Sequence, residues 1–480
     1  MHHPRRPRSR DRVAARPGPA RLTVGKLPTS SPRGLPVGLT AASVGVIYGY
    51  DLSSIAGALL FITDQFGLTT QQQELLTTMV VIGEIAGALG GGALANAIGR
   101  KKSMILITVG YALFALLGAI SISMPMLLAA RLLLGLTIGV SVVVVPVYVA
   151  ESAPAAVRGS LLAAYQVATV TGIILGYLAG YLLAGTHSWR LMLGLATIPA
   201  TLLLPLLLRM PDTARWYLLK GRVAAARRAL LRVEPEANVE AELAEISRAL
   251  RERSSNSPVS EMLRRPYLRA TIFVIALGFL IQITGINAII YYSPRLFAAM
   301  GFTGNFGLLA LPALVQLAGL AAVGASLLLV DRLGRRPILL SGIAMMIAAD
   351  VVLIAVFAGG FGVIFGFGGV LLFIIGFSFG FGSMVWVYAG ESFPSRLRSI
   401  GSSTMLTSNL VANAIVAAVF LTMLHSLGGA GVFAVFGFFA VVSLAVVYRY
   451  APETKGRQLE EIRHFWENGG HWPDTATETR

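Results

Sequence analysis

Long apolar runs, separated by short polar or Gly-rich breaks, fill the chain from Leu35 to Tyr450. Each is long enough to cross a hydrocarbon core of ~30 Å, which takes about 20 helical residues. The pattern predicts twelve membrane-spanning helices, starting near Leu35, Leu75, Met104, Met126, Leu161, Arg190, Leu268, Phe306, Pro337, Phe361, Ile400 and Gly428. Only one break is long, residues 211–269. Within it, 222–232 and 239–252 have helical spacing and mixed charge, which predicts short amphipathic helices on the membrane surface.

Three motifs recur at half the chain length. Ala97 to Lys102 reads AIGRKK and Arg332 to Pro337 reads RLGRRP, an offset of 235 residues. Glu151 and Arg158 repeat as Glu391 and Arg398, offset by 240, and Pro211-Asp212-Thr213 repeats as Pro452-Glu453-Thr454, offset by 241. Such repetition predicts two pseudo-symmetric six-helix bundles, with a ligand site at their interface near the bilayer midplane. The expected organisation is a basic disordered tail over 1–34, a first bundle over 35–210, a linker over 211–266, a second bundle over 267–450 and a C-terminal tail over 451–480.

Composition agrees with an all-α membrane protein, since 55% of the 480 residues are hydrophobic and 13% charged. The net charge of +16 matters less than where it sits. Among 39 Lys and Arg, only Arg190 and Arg295 fall at the breaks of one face, while Arg131 lies inside the fourth span. The remainder crowd the tails and the other face. By the positive-inside rule that face is cytoplasmic, so both termini lie inside a multi-pass protein of the cell membrane. The Arg-rich start, Arg5 to Arg16, reads as a tail drawn to anionic lipid rather than a nucleic-acid-binding arm. No cleaved signal peptide is expected. The chain has no Cys, so disulfides and thiolate metal sites are excluded. No phosphate-binding Gly-rich loop, His cluster or grouped Ser, His and acid supports an enzyme, and no cofactor or metal is expected.

Motifs along the core, from about Gly49 to Leu459, resemble the sugar porter family of the major facilitator superfamily. They are Gly49-Tyr50-Asp51, Gly99-Arg100-Lys101, Gly135-x3-Gly139-x8-Tyr148-x2-Glu151-x6-Arg158, Tyr165-Gln166, Trp189-Arg190 and Pro211-Asp212-Thr213-Ala214-Arg215-Trp216. In the second half come Gln282-x2-Gly285-Ile286-Asn287-x3-Tyr291-Tyr292, Asp331-Arg332-x-Gly334-Arg335-Arg336, Trp386-x4-Glu391-x2-Pro394-x3-Arg398 and Pro452-Glu453-Thr454-Lys455-Gly456-Arg457. Any one is weak, but together, in the family's order, they are specific. The resemblance implies the major facilitator fold and transport of a sugar or polyol.

It also implies roles. Asp51 and Arg131 match an acid and an arginine that interact in proton-coupled members. Burial and a neighbouring cation pull a carboxyl in opposite directions, so separating the pair can switch its protonation. Gln166, Gln282 and Asn287 match sugar-contacting amides, and Trp386 the aromatic that covers a sugar's C–H face. Gln282 and Asn287 share a face only if their helix breaks, which Gly285 permits. Tyr291 and Tyr292 resemble an outer gate. Glu151, Arg158, Glu391 and Arg398 are expected to form crossed ion pairs that latch the bundles on the cytoplasmic side in the outward-facing state, while the loop cations Arg100 and Arg335, also assigned to gating, anchor the loops inside.

Several positions depart from the family. Asn96 stands where an acid is usual, which predicts a weaker first-half loop network. Ile281, Gly319, Ser383 and Leu410 replace the usual Gln, Asn, Pro and Trp, making a less polar site. Gln316, Ser378, Asn409 and Asn413 can restore hydrogen bonds. A pentose, hexose or inositol-like polyol all fit that description. Glu84 and Asp350 lie in spans where no family acid is expected; a second proton site is one reading of Glu84, and packing the reading of Asp350. The function expected is proton-coupled monosaccharide or polyol uptake by a monomer, with a facilitative uniporter, or an exporter of a sugar-like or drug-like compound, as alternatives.

Overall fold

The computed structural model describes residues 34–153, 158–233, 238–252, 258–394, 397–457 and 459–472. These form helices and turns, with no strand among them. The first six spans are Gly34–Phe66, Thr70–Ile98, Arg100–Ala119, Met124–Ser152, Arg158–Leu183 and Trp189–Arg209. The second span starts five residues before the apolar run because Thr69 and Gln72 form a capping box that satisfies its first backbone donors. In the second half come Leu268–Tyr291, Phe306–Leu333, Arg335–Gly359, Val363–Glu391 and a 53-residue helix, Arg398–Tyr450.

At ~1.5 Å per residue this last helix would reach ~80 Å, more than twice a core of ~30 Å. It folds back at Gly428, whose φ of 67° and ψ of 173° suit only a residue without Cβ. Phe420 before the break stacks on Phe436 after it, with ring centroids 6.2 Å apart. The helix is therefore two spans, and the described chain holds the twelve expected.

Small residues bring helices of the first bundle into backbone contact. Gly49 meets the Thr169 backbone and Gly172 that of Val46, joining spans one and five. Gly83, Gly87, Gly135 and Gly139 join spans two and four, the last against Glu84. The halves meet where the second span packs on the eleventh and the fifth on the eighth.

The linker contains helices Ala214–Leu219, Val223–Val233, Val239–Glu252 and Pro258–Met262. Ala214, Ala226, Ala229, Leu230 and Leu243 give it a small core of its own. After Tyr450, a helix over Leu459–Glu467 packs on the second bundle. There Trp466 lies 5.3 Å from Phe273, centroid to centroid, so this stretch is docked structure. The predicted basic tail, Gly34 apart, lies outside the described residues, as do residues 473–480.

Candidate functional site

Asp51 and Arg131 lie side by side in the interior of the first bundle. Gly49, two residues before Asp51, lets the first span close on the fifth. Arg131 Nη1 donates to Asp51 Oδ1 at 2.8 Å, and each residue is 3% exposed. Two opposite charges taken out of water together need their mutual attraction to offset desolvation; losing one partner leaves the other uncompensated. Glu84, on the second span, is fully buried, and neither carboxyl oxygen has a hydrogen-bond partner. It lies within electrostatic range of both Asp51 and Arg131. Arg131 Nε is likewise buried without an acceptor.

The second bundle contributes amides. The seventh span breaks at Gly285, which has φ 95° and begins a new helical segment over Ile286–Tyr291. Phe436 fills the space where a Cβ on Gly285 would project, so conformation and packing both require glycine. Gln282 Nε2 donates to Asn409 Oδ1 at 3.4 Å, and Asn413 Nδ2 to Tyr291 Oη at 3.2 Å. Gln282 Oε1 and Asn413 Oδ1 are left buried and unpartnered, acceptors free for a ligand's hydroxyls. Asn287 is 7% exposed. Trp386 is 40% exposed, while Gln166 is partly buried on the fifth span near Tyr165, whose hydroxyl is also unpartnered. Spans seven and eleven thus bring Gln282, Asn409, Asn413 and Tyr291 together.

The departures have local explanations. A Cβ on Gly319 would crowd Ile374 and Ser378, so a longer side chain has no room there. Ser383 donates to the Ser378 carbonyl at 2.7 Å, a bond inside the tenth span. Ile281 and Leu410 are buried in apolar packing. Asp350 sits between the ninth and twelfth spans against Gly437, with both carboxyl oxygens unpartnered.

On the basic face each half closes on itself. Arg100 Nε meets Glu151 Oε2 at 2.9 Å, Arg215 approaches Glu151 at 3.8 Å, and Thr213 Oγ1 donates to it at 2.6 Å. The Arg100 N–H donates to Asp212 Oδ1 at 3.0 Å. Burial holds the Asp212 carboxyl above its ordinary pKa, against the backbone donors of Thr213, Lys101 and Arg100 that lower it. In the second half Arg335 pairs with Asp331 at 3.3 Å, and the Arg335 and Arg336 N–H groups donate to Glu453, each at 3.1 Å. Tyr148 and Tyr388 repeat one contact, donating to the carbonyls of Pro211 at 3.4 Å and Pro452 at 2.9 Å.

One expectation changes here. The first-half network is the more buried, with the Arg100 and Glu151 side chains 7% and 12% exposed against 20% and 76% for Arg335 and Asp331. The Asn96 carbonyl accepts from Trp216 Nε1 at 3.2 Å, and the acids of this network, Glu151 and Asp212, are the counterparts of Glu391 and Glu453 in the second half. In this state Glu151 is paired within its own half rather than across the bundles. Glu391 Oε2 and Arg398 Nε lack partners among the described residues, and the Arg158 side chain lies outside them.

The bonds that do join the halves lie at the opposite face. Tyr177 donates to the Ile290 carbonyl at 2.6 Å and lies 3.0 Å from Ser293 Oγ. Arg295 donates to Gln73 at 3.2 Å, and Thr422 gives Glu74 two bonds of 2.7 Å, from its N–H and its hydroxyl. Tyr292, expected as a gate, donates to the Ala417 carbonyl at 2.7 Å, stacks on Phe420, and also meets Thr77 of the first half beside this seal. Gln73, Glu74, Tyr177 and Thr422 went unrecognised in the sequence; polar residues near the opposite-face ends of spans two, five and eleven were the available signal.

The chain matches the family model for sugar (and other) transporters over residues 37–466. It is 35% identical to the galactose-proton symporter of Escherichia coli K12 over 427 residues, covering 88% of this chain and 92% of that protein. It is 32% identical to the arabinose-proton symporter of the same strain over 434 residues, covering 89% and 92%. Its fold superposes on the inward open xylose transporter XylE from E. coli with a TM-score of 0.77 and 23% identity, covering 90% of this chain and 99% of that one. That likeness identifies the major facilitator fold.

Proposed function

Because this chain belongs to the sugar (and other) transporter family, we propose that it takes up a monosaccharide or polyol with a proton across the cytoplasmic membrane by alternating access. The observation that carries this reading is the buried Asp51–Arg131 pair at 2.8 Å in a bundle whose neighbour presents unpartnered amide oxygens. A proton on Asp51 cancels the charge that holds Arg131, so binding or loss of that proton changes how the first bundle packs. The ligand's hydroxyls donate to Gln282 Oε1 and Asn413 Oδ1, Asn287, Asn409 and Gln166 add polar contacts, and Trp386 covers a C–H face. Differential binding of both solutes to the two open states then links their movements. The relatives' names, galactose-proton and arabinose-proton symporter, support this ligand pair.

With the basic loops and both termini in the cytoplasm, the face sealed by Tyr177, Glu74 and Arg295 is external, and the state described opens inward. Crossed pairing of Glu151 and Glu391 with Arg398 and Arg158 belongs to the outward-open state, when the inner ends meet. Both halves of the ligand site come from one chain, so a monomer suffices. The test is uptake of labelled pentoses, hexoses and inositols into proteoliposomes with and without an inward proton gradient. Gradient-driven accumulation of one solute, reduced to equilibration in Asp51→Asn, supports the reading; equilibration alone in both proteins makes the chain a uniporter, and no uptake at all favours export.

A further inference from the structure

Glu84 is a buried acid for which neither the ligand site nor the paired charges give a use. Its residue is fully inaccessible, so no sugar hydroxyl reaches it in this state. Its two oxygens have no donor, and Arg131 Nε, in the neighbouring span, has no acceptor. Spans two and four pack closely, with Gly139 against the Glu84 backbone, which sets Glu84 about two turns along the fourth span from Arg131, so the arginine must swing along that span to reach it. The groups that face Glu84 electrostatically are Asp51 and Tyr48 from the first span, Arg131 from the fourth, Tyr165 from the fifth and Tyr291 from the seventh. Tyr111 of the third span senses all three charged groups. Arg131 is thus the one cation serving two carboxyls, and it is bonded to only one of them.

We propose that Arg131 alternates between Asp51 and Glu84, making Glu84 a second proton-carrying site whose proton is released when Asp51 takes one up. The proposal rests on the proton-coupled reading given above. The scheme begins with Asp51 as the carboxylate partner of Arg131 and the proton on Glu84, so that the three groups are neutral together. A proton arriving on Asp51 breaks its bond to Arg131. Arg131 then turns to Glu84, whose oxygen keeps the O–H electron pair as its proton departs. Return of Arg131 to Asp51 passes the remaining proton from Asp51 to Glu84, with Tyr48, which lies within electrostatic range of both, as a hydroxyl relay. One proton has entered, one has left, and the net charge of the three groups is restored.

The experiment compares proton-driven accumulation and sugar counterflow in proteoliposomes for wild type, Asp51→Asn, Glu84→Gln and Glu84→Asp, using the sugar that wild type accumulates. Glu84→Gln is expected to lose accumulation and keep counterflow, which moves no net proton, while Glu84→Asp recovers part of the accumulation. Wild-type accumulation in Glu84→Gln overturns the proposal and makes Glu84 a neutral packing group, leaving the role of Asp51 intact. Wild-type uptake indifferent to the gradient removes the coupled reading itself and this proposal with it. If Glu84→Gln is not recovered folded, infrared difference spectra of the wild-type chain with isotope-labelled glutamate decide. A neutral glutamic acid band that vanishes as pH rises supports the proposal, and its absence contradicts it.

Discussion

The two bundles share a plan and divide the chemistry. Both use a Gly-Arg turn after their second span, an acid at the end of their fourth, and a tyrosine hydroxyl donated to the proline carbonyl just beyond their sixth. Their interiors differ. The first holds ionisable groups, the paired Asp51 and Arg131 and an unpartnered Glu84 within electrostatic range of both. The second holds amides and tyrosine around a helix broken at Gly285, and its one buried acid, Asp350, lies apart against Gly437. A strongly desolvated charge pair responds to a proton, whereas half-satisfied amides respond to hydroxyls. On the proposed reading, coupling is a matter of how two differently sensitive bundles move against each other.

The strongest way to break this division is Arg131→Ala. It leaves Asp51 buried beside the equally unpaired Glu84 and is expected to cost about 3–5 kcal/mol, read as a large fall in the thermal midpoint of the detergent-solubilised protein. Asp51→Asn in that background should restore part of the loss, because it removes the orphaned charge. If Arg131→Ala alone unfolds like wild type, the pair is not the structural hinge of the first bundle.

Next in size is the outer seal. Glu74→Ala removes the acceptor of two bonds from Thr422, each to a charged group and worth about 1.5–3 kcal/mol. The population should shift toward the outward-open state. As the chain has no cysteine, a single Ile290→Cys reports on this cleanly. Modification by an impermeant thiol reagent from outside should accelerate by about tenfold or more in the Glu74→Ala background; an unchanged rate would show that the seal lies elsewhere.

Smaller effects belong to the second bundle. Gln282→Ala or Asn413→Ala each removes about one hydrogen bond of ~0.5–1.5 kcal/mol to the ligand, a rise in KM of roughly threefold to tenfold. The ratio of protons to sugar should stay as in wild type. A change in that ratio would blur the division between bundles. The smallest contrast is between the loop networks. Arg100→Ala should destabilise by about 1–3 kcal/mol, since Glu151 is buried and loses its main partner. Arg335→Ala, with an exposed partner, should cost under ~1 kcal/mol by the same melting assay.

The spans, the two bundles and the Asp51–Arg131 match were legible in the sequence because apolar length, repeated spacing and motif order are linear properties. The Gly285 break was legible too, since Gln282 and Asn287 otherwise point apart. What a sequence does not carry is the rotation of each helix about its axis and the state in which the bundles meet. That is why Glu74 and Tyr177 went unnoticed as the seal.

The most direct test of the central claim is sugar-induced proton movement, followed as alkalinisation outside proteoliposomes when the substrate is added, in wild type, Asp51→Asn and Gln282→Ala. Wild type should alkalinise the medium, Gln282→Ala should do so only at higher sugar concentration, and Asp51→Asn should exchange sugar with no proton signal. A proton signal in Asp51→Asn that tracks sugar entry would contradict the assignment of the proton to the first bundle's buried pair.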